Sequence, residues 1–130
     1  MAKVLVVDDD DDVRNLVRHR AQRAGHRVLT AGSADEALAL IAERGAPELV
    51  VLDVAMPGMD GLELLDTLRA TDGLGDLPAI FLSARVQDAD IAEGRARGAL
   101  YLTKPFVANA LLNAIDRLLE PTPSEVDGGW

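Results

Sequence analysis

The chain of 130 residues contains no cysteine, which excludes disulfides, thiolate nucleophiles and cysteine-ligated zinc. It has two histidines, His19 and His26, and neither lies near a second metal-binding residue type. Both therefore read as ordinary surface or partly buried side chains. Aromatic residues supply only 3% of the sequence, which argues against an aromatic-cored β-sandwich. No apolar run approaches the roughly 20 residues of a membrane-spanning helix. The N-terminus enters an apolar stretch after a single lysine, with no signal-peptide pattern, and the expected compartment is the cytoplasm. Basic residues are outnumbered by acidic ones, 13 to 22, for a net charge of −9. Direct binding to nucleic acid, which relies on concentrated lysine and arginine, is not expected.

What is present is aliphatic. Apolar residues make up 48% of the chain, almost all leucine, valine, isoleucine and alanine, enough for one core in one domain. Five short runs read as strands: Lys3–Val7 (KVLVV), Arg27–Ala31 (RVLTA), 49–54 (LVVLDV), Ala79–Ser83 (AIFLS) and 99–103 (ALYLT). Three of them are almost continuously apolar, the mark of strands buried on both faces. Between the runs the period changes to that of a helix. Val13, Leu16, Val17, Ala21 and Ala24 share one face, as do Ala34, Ala37, Leu38 and Ile41, and then Leu111, Ala114, Ile115 and Leu118. Ser33 with Glu36, and Asp60 with Glu63, have the spacing of capping boxes. Gly25, Gly45 and Gly98 fall where helices should stop. The segment 86–97 is polar, is interrupted by Gly94, and is expected to be the most mobile helix.

Strict alternation of strand and helix predicts right-handed crossovers and a parallel sheet covered on both faces. With five strands this is the flavodoxin-like doubly wound α/β fold, (βα)5, in strand order 2-1-3-4-5. Its ligand crevice should lie at the carboxyl ends of strands 1 and 3. Those ends are chemically unusual. Strand 1 runs into Asp8 and Asp9, followed by Asp10, Asp11 and Asp12, of which one or two are expected to cap the next helix. Asp53 is the single acid of an otherwise apolar strand 3. Three converging carboxylates repel one another unless a cation sits among them. Oxygen donors without histidine or cysteine point to Mg2+ or a similar hard ion. Strand 4 closes in Ser83, and strand 5 leads into Lys104 and Pro105. A metal, an ammonium and a hydroxyl together can balance the charge on phosphoryl oxygens, which makes Asp53 the candidate nucleophile toward phosphorus.

The segments VVDDD at 6–10, LDVAMPGMDG at 52–61, LSA at 82–84 and YLTKPF at 101–106 together resemble the response-regulator receiver domain of two-component signalling. The resemblance covers about residues 3–119, so 1–119 is expected to be the receiver domain. Residues 120–130, rich in proline, glycine and acid, then form a flexible tail or the stub of a linker. The resemblance implies phosphorylation of Asp53 by a sensor histidine kinase or histidine phosphotransfer protein. It implies that Asp9, Asp53 and the backbone carbonyl of Ala55 ligate Mg2+, with Asp8 acting through water. It further implies that Ser83 and Lys104 contact the phosphoryl oxygens and that the Lys104–Pro105 bond is cis.

By the same resemblance, Ser83 and Tyr101 are the switch residues. Ser83 would move toward the phosphoryl group and Tyr101 would turn inward, changing the face formed by helix 4, strand 5 and helix 5. That face would control a downstream protein or effector domain, the chain being a monomer or a phosphorylation-dependent dimer. Two departures from the pattern stand out. The interval from Gly98 to Tyr101 is one residue shorter than usual, and Ala55 and Arg85 border the phosphorylation site. The loop 56–61 reads as a shaped turn in which Met59 packs. Trp130 has no assignable role.

Two other classes use related chemistry. A phosphatase of the haloacid-dehalogenase type would place a second aspartate two residues after its nucleophile, and Ala55 stands there. A flavin-binding module needs an anion-binding loop after strand 1, where this chain has five aspartates. The reading is therefore a phosphorylation-dependent switch rather than a turnover enzyme.

Overall fold

In the computed structural model, which describes residues 2–71, 73–84 and 88–119, strands and helices alternate throughout. The strands are β1 (Lys3–Val7), β2 (Arg27–Ala31), β3 (Leu49–Asp53), β4 (Ala79–Ser83) and β5 (Leu100–Thr103). The helices are α1 (Asp11–Arg23), α2 (Ala34–Arg44), α3 (Gly61–Arg69), α4 (Asp88–Ala96) and α5 (Ala108–Leu119). All strand pairs are parallel, in the order β2-β1-β3-β4-β5. The doubly wound fold expected from the sequence is the fold observed.

The apolar strands divide between two cores by simple alternation. Val4 and Val6 of β1, Leu49 and Val51 of β3, and Ile80 and Leu82 of β4 pack with Val17 and Ala21 of α1 and Leu111, Ala114 and Ile115 of α5. Leu5, Val7, Val50, Leu52 and Phe81 face the opposite way, onto Ala34 and Ala37 of α2 and Leu64, Leu65 and Leu68 of α3. Each fully buried leucine or isoleucine is worth about 1.5–3 kcal/mol relative to exposure, so both layers hold the central strands.

The helix faces follow the sequence less closely. In α1 only Val17 and Ala21 are buried, while Leu16 stays 42% exposed. Thirteen residues of helix meet the sheet along a stripe narrower than the apolar one. The cap residues match expectation: Asp10, Ser33 and Asp60 accept backbone N–H bonds at the starts of α1, α2 and α3. Gly25, Gly45 and Gly98 all have positive φ. β3 and β5 are each one residue shorter than the apolar runs, and α4 spans Asp88–Ala96, positions 86 and 87 of the expected segment lying outside the described residues. Arg85, the tail 120–130 and Trp130 lie outside the described residues.

Candidate functional site

The carboxyl ends of β1, β3, β4 and β5 bring Asp8, Asp53, Ser83 and Lys104 to one edge of the sheet. Asp8, Asp53 and Ser83 are 1%, 5% and 0% exposed, and they are the buried polar side chains among the described residues. Lys104 Nζ lies 2.9 Å from Asp8 Oδ2 and 3.5 Å from Asp53 Oδ2, so one ammonium faces two buried carboxylates. Ser83 pairs in register with Thr103, and its carbonyl accepts the Lys104 N–H at 2.8 Å. That bond fixes where the lysine leaves β5. The Lys104–Pro105 bond is cis, as expected.

The five aspartates after β1 separate by role. Asp10 caps α1, its Oδ1 accepting from Asp12 N at 2.9 Å and Val13 N at 3.3 Å. Asp8 Oδ1 accepts from Asp10 N at 2.9 Å. Asp9 is exposed, yet its carboxylate, with those of Asp8 and Asp53, offers oxygens all within 4.8 Å of one another. Asp11 pairs with Arg14 on the outer face of α1.

Burial is the largest influence on Asp53, followed by the charge of Asp8, and Lys104 offsets them only in part; the carboxyl is pushed up to about 7. Burial works to lower the Lys104 pKa, but Asp8 and Asp53 outweigh it and hold the ammonium above its usual value. The pocket thus carries more negative charge than one lysine neutralises. Asp8 Oδ2 is buried and accepts no hydrogen bond of good geometry, although Lys104 Nζ stands near it. Three carboxylates, one with an under-used buried oxygen, form an oxygen-only donor set that fits a hard divalent cation.

Arg14, which the sequence does not mark, and Gly61, which closes the loop expected to be a shaped turn, both border the pocket. Arg14 Nη1 donates to the Asp8 carbonyl at 2.6 Å, tying α1 to the end of β1. Gly61 opens α3 against the end of β3: a Cβ there would collide with the Asp53 carbonyl oxygen. Its N–H donates to the Val54 carbonyl at 3.0 Å. The signal for Gly61 was its place just after the cap residue Asp60, where glycine is a poor helix former. Gly58, in the turn after β3, has φ +76°, and Met59 packs on the core beneath α3. Ala55 is exposed beside Asp53. Tyr101 is half-buried and pairs in register with Phe81, their ring centroids 6.2 Å apart. His19 is exposed, and His26 Nδ1 accepts the Ala2 N–H at 3.4 Å. Among the described residues no helix is long and apolar enough to cross a membrane.

A doubly wound sheet with buried aspartates, a hydroxyl and a lysine at its carboxyl edge defines a class of phosphorylation-controlled α/β switches. Comparison with known proteins narrows the class: the response regulator receiver domain family matches residues 4–116, and the chain belongs to that family. Among curated proteins it is 41% identical over 112 residues to the transcriptional regulatory protein AfsQ1 of Streptomyces coelicolor, covering 85% of this chain and 48% of that one. It is 46% identical over 115 residues to an uncharacterized 14.6 kDa protein of Leptolyngbya boryana, covering 88% and 87%. Among solved structures, the chemotaxis protein CheY4 of Vibrio cholerae superposes with a TM-score of 0.83 at 37% identity, covering 92% of this chain and 99% of that one. The chain spans about half the length of AfsQ1 and of the regulator PhoP of Bacillus subtilis.

Proposed function

We propose that Asp53 accepts a phosphoryl group and that the acidic pocket holds Mg2+ while it does so. The observation that carries this reading is the convergence of two buried carboxylates, Asp8 and Asp53, on the single ammonium of Lys104. A carboxylate oxygen of Asp53 attacks the phosphorus of a donor phosphohistidine. The phosphorus–nitrogen bond breaks, its electron pair leaves on the imidazole nitrogen, and that nitrogen takes a proton from solvent. The product is an acyl phosphate, which ends when water attacks phosphorus and restores the carboxylate. Asp8, Asp9, Asp53 and the Ala55 carbonyl are the proposed ligands, Asp8 through water. When bound, Mg2+ supplies positive charge that keeps Asp53 ionised and takes up charge on the phosphoryl oxygens.

Lys104 neutralises a further share of that charge, and Ser83 donates its hydroxyl to a phosphoryl oxygen. Tyr101 reports the change to the face of α4, β5 and α5. The donors are a sensor histidine kinase or a histidine phosphotransfer protein. The output is a downstream protein or effector domain, with the chain acting as a monomer or dimerising on phosphorylation. These roles place the domain in the cytoplasm, where the ATP that charges such a kinase is found.

The test is incubation with a small-molecule phosphodonor. Wild type should gain one phosphoryl group with Mg2+, and excess chelator should abolish the gain. Rapid turnover of small phosphate esters would instead indicate a phosphatase and contradict the switch. Tyr101→Ala is expected to impair output while leaving phosphorylation intact; loss of phosphorylation would remove Tyr101 from a purely switching role.

A further inference from the structure

Gly94 lies within α4, not at its end, and is buried. Glycine is the poorest helix former after proline, because its backbone has the most freedom to lose. Alanine would serve this position better if a helix were all it required. The surroundings explain the choice. A Cβ on Gly94 would lie 2.8 Å from Tyr101 Cδ2 and 3.2 Å from Phe81 Cδ2, the first closer than real Cβ contacts come.

Two of the three partners in this contact are fixed. The Gly94 carbonyl accepts N–H bonds from Arg97 at 3.2 Å and Ala99 at 3.3 Å, which anchor it in the turn that ends α4. That turn is fastened to α3. Arg97 Nε and Nη2 donate to Asp66 Oδ1 and Oδ2 at 3.0 and 2.9 Å, and the Arg69 guanidinium donates to the Arg97 carbonyl. Phe81 is wholly buried in β4. Tyr101, half-buried on the edge strand β5, is the less enclosed of the two rings.

We infer that Gly94 is a positioning residue for the switch: its missing side chain forms the seat in which the Tyr101 ring rests against Phe81. A methyl group at this position fills the seat and displaces the ring whether or not Asp53 is phosphorylated. The inference rests on the switch role proposed for Tyr101. It also gives Gly94 a purpose that the composition of α4 alone conceals.

Tyr101 is the only tyrosine, so 3-fluorotyrosine labels it alone and fluorine NMR reports on one ring. In wild type the ring resonance should move when beryllofluoride and Mg2+ are added to occupy the phosphoryl site. In Gly94→Ala the resonance should already be displaced before any addition, and the beryllofluoride-dependent shift should be lost. The separate signal of bound beryllofluoride should remain, because Asp53 is untouched. A Gly94→Ala resonance that coincides with wild type before and after addition overturns the inference. A wild-type ring that stays still while beryllofluoride binds overturns the switch role of Tyr101 instead, and that failure appears before Gly94 is altered.

Thermal melting provides a second reading. Gly94→Ala should lower the Tm in the wild-type background and lower it much less in a Tyr101→Ala background, where the tighter contact is gone and the 3.2 Å approach to Phe81 is left. Equal lowering in both backgrounds would assign the clash to Phe81 or the backbone and overturn the inference.

Discussion

Asp53 has two opposed demands on it: it is buried, and the proposed attack on phosphorus requires it to be ionised. Burial first, and Asp8 second, push its carboxyl up to about 7, against about 3.9 in an unfolded chain. A carboxyl with a raised folded pKa holds its proton better when folded. Its stabilising contribution is complete below the unfolded value and is lost as pH rises through the folded one, a swing of roughly 4 kcal/mol. Without Mg2+, Asp53→Asn should therefore melt above wild type at pH 8, and the gap should close as pH falls toward 4. Calorimetry across that range checks it; a gap independent of pH would mean that Asp53 is not strained by ionisation. Asp53, Ser83 and Lys104 were legible from sequence because each ends or follows a strand at the crevice. Arg14 was not, since a surface arginine in a helix carries no sign that its guanidinium reaches back to the Asp8 carbonyl.

Among the elements, the strands were the easiest to read and the helix faces the hardest. A strand buried on both faces is apolar along its length, as in β3 before Asp53 and β4 before Ser83, and no register need be guessed to find it. A helix declares a stripe, but packing decides how much of the stripe is used, which is why Leu16 of α1 remains exposed. α4 is the extreme case. Its fit depends on Gly94 and on the Arg97–Asp66 fork, and neither is a matter of periodicity. The junction of β3 with α3 yields a prediction at this scale. Gly61→Ala would drive a methyl group into the Asp53 carbonyl, and relief requires moving the helix start or the strand end. Overpacking of this kind costs about 1–3 kcal/mol. The variant should melt lower than wild type and accept phosphoryl groups more slowly; unchanged melting and unchanged phosphorylation would show that α3 yields freely.

The molecule as a whole concentrates charge where it concentrates chemistry. Its net charge is −9, and its buried acids sit together at the carboxyl edge of the sheet, with Lys104 paired to both of them. A cation that binds the folded state and not the unfolded one stabilises it by mass action, by about 2.7 kcal/mol at a concentration one hundred times Kd. Added Mg2+ should accordingly raise the Tm of wild type, and Asp9→Asn should blunt the gain. A Tm indifferent to Mg2+ would contradict the metal site. The fold and the place of the pocket follow from alternation and strand order alone. The identity of the proposed output partner does not, because that information lies in another molecule's surface.

One residue, Asp53, is proposed to carry the phosphoryl group. Borohydride reduces an acyl phosphate to the alcohol, so a phosphorylated aspartate becomes homoserine and can be located by peptide mass spectrometry. After treatment with a phosphodonor and Mg2+, homoserine should appear at position 53 in wild type and nowhere in Asp53→Asn. Homoserine at Asp8 or Asp9, or its persistence in Asp53→Asn, would contradict the account.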